Sequence, residues 1–146
     1  MDSGLLATAT ALLAATIRMA TPLTLAGIGE TFSEKSGILN IGLEGIMLSG
    51  AFFSFITAYY TQSIVLGIVG GCLGGIFISL LHGYLSIRME VDQTISGLAL
   101  NFLSLGLTSF FFLMAFGKTT DLPECPMVAA MPIPILKDIP VIGAAL

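Results

Sequence analysis

Apolar residues run almost without interruption through four stretches of the chain, and the polar residues gather between them. The stretches cover residues 5–28, 41–60, 64–87 and 94–116. Each is long enough to supply the roughly 20 residues that an α-helix needs to cross a bilayer. Residues 45–87 contain no Asp, Glu, Lys or Arg, so this run alone accommodates two spanning helices joined by the uncharged turn Thr61-Gln62-Ser63. Residues 93–117 are also free of charge and supply one more. The pattern predicts an all-α fold, a polytopic transmembrane helical bundle of about four spans. Residues 117–138 then form a loop, because Pro123, Pro126, Pro132 and Pro134 oppose a helix there. Residues 139–146 are apolar again but too few to cross, and read as the start of a fifth span. On this reading residues 1–146 are the N-terminal part of a single transmembrane domain.

Polar residues inside the spans mark candidate function, because ionisable and amide groups are costly in hydrocarbon. The second span opens from a charged, glycine-interrupted stretch, Ser33–Gly50, in which Asn40 and Glu44 stand among Gly37, Gly42, Gly45 and Gly50. A broken helix start needs covering protein or a water-filled cavity to satisfy its backbone. Asn40 is expected to cap that backbone, and Glu44 is open to pairing or to a path. Arg18 falls near the middle of the first span, where insertion costs about 2.5–3.5 kcal/mol. It either snorkels to an interface or faces the bundle and pairs with a carboxylate, Glu30 or Glu44. In the third span Gly67, Gly71, Gly75, Ser79 and Gly83 recur every fourth residue, with Gly70 and Gly74 beside them, and predict a small face for close helix packing. In the fourth, Gly97, Asn101, Ser104 and Thr108 share one face. That stripe is either interhelical glue or part of a lining. His82 reads as an interfacial or hydrogen-bonded residue rather than a proton relay.

Composition agrees with a membrane protein. Charged residues make up 10% of the chain and apolar residues 55%, with a mean hydropathy of +1.01; a soluble domain carries about 25% charged residues. A net charge of −4 with five basic residues forms no patch for nucleic acid. Cys72 lies in a span and Cys125 in a loop, poorly placed to pair, and a lone His82 offers no metal cluster. The N-terminus has an acid where a secretory leader carries basic residues, so the first span is expected to be a retained anchor. Lys35 and Arg88 fall on one side and Lys118 and Lys137 on the other. The short-loop pair slightly favours an N-terminus outside. The Gly117-Lys118-Thr119 triplet has Phe112 where a P-loop needs glycine, and neither a zinc-protease motif nor a hydrolase elbow occurs.

Three segments carry a family resemblance: Arg18 to Leu23 (RMATPL), Gly29 to Phe52 (GETFSEKSGILNIGLEGIMLSGAF) and Asp92 to Asn101 (DQTISGLALN). In this order and spacing they resemble permease subunits of bacterial ATP-binding-cassette importers for nucleosides and simple sugars, within the wider group of branched-chain amino-acid and ribose permeases. The resemblance implies a multi-pass protein of the bacterial plasma membrane, paired with a second permease subunit. It also implies cytoplasmic cassette ATPases, so that the chain itself is no enzyme and holds no cofactor. An extracytoplasmic substrate-binding protein or lipoprotein would deliver the substrate. With the N-terminus outside, Ser33–Asn40 and Arg88–Gln93 would face the cytoplasm and the 117–138 loop would face the binding protein. Such permeases are roughly twice this length, and the coupling segment that docks on the ATPase has no counterpart here. Asn40, Glu44, Asn101, Ser104 and Thr108 are the candidate path or gate groups for the hydroxyls of a sugar or ribose. Half of a secondary transporter or channel, and a membrane scaffold that transports nothing, are the alternatives.

Overall fold

The computed structural model describes residues 3–117 and 123–126. Four helices follow one another: α1 (Ser3–Lys35), α2 (Leu43–Thr61), α3 (Ile64–Ile87) and α4 (Gln93–Phe116), with no strand among the described residues. The fold is all-α, as the hydropathy pattern predicts. Among the described residues three helices are long and apolar enough to cross a membrane, α3 and α4 in full and α1 over Ala7–Lys35. The expected span at 41–60 is not among them: α2, at 19 residues, is the shortest of the four helices and carries Glu44, two serines and the Tyr59-Tyr60 pair. The chain divides into two units, residues 1–28 with 128–146 and residues 29–127. Apart from Gly117 and residues 123–126, the expected loop at 117–138 and the whole of the expected fifth span from 139 lie outside the described residues.

In the first unit the described residues are the first 26 of α1. Large apolar side chains such as Leu5, Leu13, Ile17, Leu23 and Leu25 are exposed around it. A helix that is apolar on every side is built for lipid or for burial among other helices. Thr8, Thr16 and Thr21 return their hydroxyls to the carbonyls of Gly4, Leu12 and Ile17 at 2.8–2.9 Å, which hides their polarity from hydrocarbon. Pro22 lies inside the helix and withholds the N–H that would meet the Arg18 carbonyl. The helix continues to Lys35, past the residue-28 boundary expected from hydropathy and through the charged stretch read as loop.

In the second unit α2 packs most extensively on α3 and then on α4, while α3 and α4 touch least. The α2–α3 contact rests on missing side chains. A Cβ at Gly67 would come within 2.8 Å of the Ala58 Cβ and 3.2 Å of the Ser54 carbonyl oxygen. At Gly71 it would meet the Ser54 Cβ at 2.9 Å and the Gly50 carbonyl oxygen at 3.0 Å. Gly70 and Gly74 lie as close to Thr57 and Phe53. A Cβ at Gly75 would meet only the Ile46 methyl at 3.7 Å, one at Gly83 would meet no described neighbour within 4 Å, and Ser79 is exposed. Successive i+4 steps each turn about 40° around a helix of 3.6 residues per turn, so a strict every-fourth row winds off the contact. The buried positions instead follow Gly67, Gly74, Ile78 and His82. At the far ends of α2 and α4, Phe55, Tyr59, Phe112 and Phe116 form an aromatic cluster with ring centroids 5.0–6.3 Å apart. Tyr59 is half-buried in it, while Tyr60 is exposed.

Three helix boundaries have a local cause. Gly37, at φ 87°, ends α1: Ile38 N–H reaches back to the Ser33 carbonyl at 3.1 Å and Gly37 N–H to the Glu34 carbonyl at 2.9 Å. This paired arrangement needs a left-handed residue, which glycine adopts without strain. Asp92 caps α4 by accepting from Thr94 N–H at 2.9 Å and Ile95 N–H at 3.1 Å. Gln62, with φ 51°, turns α2 into α3.

Two outcomes are expected for detergent-solubilised protein followed by thermal unfolding. Gly67→Leu should destabilise by about 1–3 kcal/mol through overpacking against backbone, whereas Gly83→Leu should stay within about 0.5 kcal/mol. Asp92→Ala should cost about 1 kcal/mol through the lost cap, with Asp92→Asn retaining most of it.

Candidate functional site

The stretch between α1 and α2 carries backbone groups that no helix can satisfy, and side chains from outside the stretch answer most of them. Leu39 N–H donates to the Gln93 Oε1 at 2.7 Å, and Gln93 Nε2 donates to the Gly37 carbonyl at 3.3 Å. Asn40 N–H donates to Glu30 Oε1 at 2.7 Å, and Gly42 N–H to the Asn40 Oδ1 at 3.0 Å. Ser33 Oγ donates to the Ile38 carbonyl at 2.9 Å. Two adjacent peptide groups are therefore held from two different helices, Leu39 by α4 and Asn40 by α1.

The start of α2 is capped from another helix. Gly42 stands at its N-cap and has no side chain to bond the first turn. Asn101 on α4 replaces it: its Oδ1 accepts from Gly45 N–H at 2.7 Å and its Nδ2 donates to the Ile41 carbonyl at 3.1 Å. The backbones are close enough for this only because three facing positions are glycine. A Cβ on Gly97 would lie 2.8 Å from the Gly42 nitrogen, and one on Gly45 would lie 2.9 Å from the Asn101 Cα. A Cβ on Gly42 would be 3.3 Å from the Gly97 carbonyl oxygen.

The candidate residues thus fall into different surroundings. Asn40 and Asn101 join the same network, and both are half-buried. Ser104 and Thr108 are buried on the inner face of α4, 1% and 8% exposed. Thr108 Oγ1 donates to the Ser104 carbonyl at 2.7 Å, while the Ser104 hydroxyl has no partner among the described residues. Glu44 lies in the first turn of α2 and is exposed, without a hydrogen bond among the described residues of the 29–127 unit. Arg18 belongs to the other unit and is exposed on α1. Glu30 and Gln93 were not picked out as site residues by sequence reasoning. Glu30 is half-buried, with Oε2 enclosed and unpartnered among the described residues. A signal for both was present, since each is a polar residue at the margin of a span and next to the glycine-broken stretch.

A groove of about 580 Å³ opens between α2 and α4 towards their far ends, lined by Leu48, Phe52, Phe55, Phe112, Leu113 and neighbours. Its polar residues are Thr108 and Ser109, and the Thr108 hydroxyl is already committed. Its chemistry suits an apolar occupant rather than a polyhydroxylated one. Among the described residues no group of three or more His, Cys, Asp or Glu side chains is placed to hold a metal ion.

Comparison with known proteins places the chain. It is 41% identical over 137 residues to a guanosine ABC transporter permease protein of Bacillus subtilis, covering 88% of this chain and 42% of the relative. It is 37% identical over 129 residues to a nucleoside ABC transporter permease protein of Lactococcus lactis, covering 84% of this chain and 40% of the relative. A putative glucose ABC transporter permease protein of Haloferax volcanii is 44% identical over 103 residues, which cover 70% of this chain and 31% of the relative. The chain thus spans less than half the length of the curated relatives it matches. No solved structure matches it. A family described as "Branched-chain amino acid transport system / permease component" matches residues 12–132, and the chain belongs to that family.

Proposed function

We propose that this chain forms part of the translocation path in a permease subunit of an ATP-binding-cassette importer for nucleosides or simple sugars. The observation that carries the reading is the broken segment 36–42, held in place by side chains of α1 and α4, in a chain of this family. Freed backbone in a membrane protein persists where protein or a water-lined cavity covers it, and such breaks mark substrate sites in transporters. A scaffold would gain nothing from a glycine-rich break that then needs several side chains to repair it.

Within this reading the candidate residues take different roles. Asn40 and Asn101 hold the gate segment, together with Glu30 and Gln93. Ser104 and Thr108 line the inner face of α4. Glu44, the sole acidic residue of α2, α3 and α4, either pairs with Arg18 or serves the path. The N-terminus lies outside, so that 36–42 and the Arg88–Asp92 turn face the cytoplasm. The assembly contains a second permease subunit, cytoplasmic cassette ATPases that hydrolyse ATP, and an extracytoplasmic binding protein or lipoprotein. The names of the relatives favour nucleosides narrowly over sugars.

Labelled-nucleoside uptake in a deletion strain tests the function: guanosine uptake should fall and return with the full-length gene. Unchanged guanosine, cytidine and uridine uptake would remove the nucleoside assignment. Asn101→Ala should lower both membrane abundance and uptake, since it strips two backbone partners at about 1 kcal/mol or more each. Glu44→Ala should leave abundance unchanged and reduce uptake alone. If Arg18 and Glu44 pair, R18E and E44R should each impair uptake and the double exchange should restore it.

A further inference from the structure

We propose that His82 is a positioning residue that acts through Ser96 and Gln93 on the segment 36–42, so that α3 sets the placement of a segment to which it gives no hydrogen bond. His82 and Ser96 are 2% and 3% exposed, in the interior of the 29–127 unit. The His82 Nδ1 lies 3.1 Å from the Ser96 Oγ. The same hydroxyl donates to the Gln93 carbonyl at 3.3 Å and has the Ser86 Oγ at 3.5 Å. Gln93, one turn earlier on α4, is the residue that grips Leu39 N–H and the Gly37 carbonyl. Polar contacts therefore run from α3 to the backbone of Gln93, and the side chain of the same residue holds the break.

The proton count supports a directed role. A serine hydroxyl has one proton, and with that proton on the Gln93 carbonyl, Nδ1 of His82 must be the donor to Ser96. Nε2 is buried with no partner among the described residues. Packing alone would be served better by an apolar ring of similar size, which leaves no enclosed polar atom unmet. What the imidazole adds is the hold on Ser96, and Ser96 sits on the turn of α4 that presents Gln93.

The relay stands on this geometry, and its consequence for transport rests on the permease reading above. The test uses the full-length permease in membrane vesicles, with Ser36→Cys as its sole cysteine and N-ethylmaleimide as the probe. Asparagine at 82 reproduces a polar group at the Nδ1 position, and glutamine reproduces one at Nε2. His82→Gln and Ser96→Ala should raise the labelling rate about threefold or more by loosening 36–42, while His82→Asn stays within about twofold of the parent. Equal rates for His82→Asn and His82→Gln, or an unchanged rate for Ser96→Ala, would overturn the relay. Should His82→Gln fail to accumulate in the membrane, Ser96→Ala decides, because it removes only a hydroxyl. Guanosine uptake is measured on the same vesicles. Its absence in the parent counts against the permease reading and leaves the labelling comparison to decide the relay.

Discussion

The 29–127 unit depends on how closely the first turn of α2 lies against α4. Gly42, Gly45 and Gly97 leave their Cβ positions empty where the two backbones pass, and Asn101 fills the remaining gap with one amide that bonds both Gly45 and Ile41. A helix normally caps its own start with a side chain at the residue before its first turn. Here that residue is glycine, and the cap comes from a different helix. The start of α2 is therefore stable only while α4 is beside it. In lipid an unmet N–H costs several kcal/mol, so this proximity is what makes a broken helix start tolerable.

How much of this was legible in the sequence follows from the range of each interaction. The four helices were visible because hydropathy is summed over about 20 residues and local errors cancel. The end of α1 was misplaced: the stretch Glu30–Lys35 is polar and reads as loop, yet it stays helical up to the glycine turn at Gly37. Polarity reports where lipid ends, whereas the helix ends where the backbone can turn left-handed. The small face of α3 was evident from spacing, but a regular row of every fourth residue drifts around the helix. The contact line therefore includes Gly70 and Gly74 and leaves Gly83 open. The role of Asn101 could not be read locally, because its two partners lie 56 and 60 residues away in the chain.

The bonds to Leu39 and Asn40 have a mechanical consequence. Consecutive N–H groups are held by Gln93 of α4 and by Glu30 of α1. Any change in separation between those two helix ends must stretch one bond or the other, or carry the strap 36–42 with it. Neutral amides make three of the five described side chains in this network, Ser33 supplies a hydroxyl, and Glu30 supplies the one carboxylate. Amides offer both a donor and an acceptor at a modest desolvation cost, and so can exchange partners as helices shift.

Glu44 stands apart from that network for a physical reason. A carboxylate in the first turn of a helix is favoured by the partial positive charge there, so the position accepts an ion without needing a cation. Asn101 is committed on both sides, to an N–H and to a carbonyl, and its chemistry is spent on structure. Glu44 is uncommitted among the described residues of the unit and exposed, and it is the sole acid in three helices otherwise cleared of charge. If the fold needed a group at that site only to begin a helix, a serine or threonine would do so at lower cost in a membrane. Among the described residues the break is held by amides and by the Glu30 carboxylate, and Glu44 takes no part in holding it.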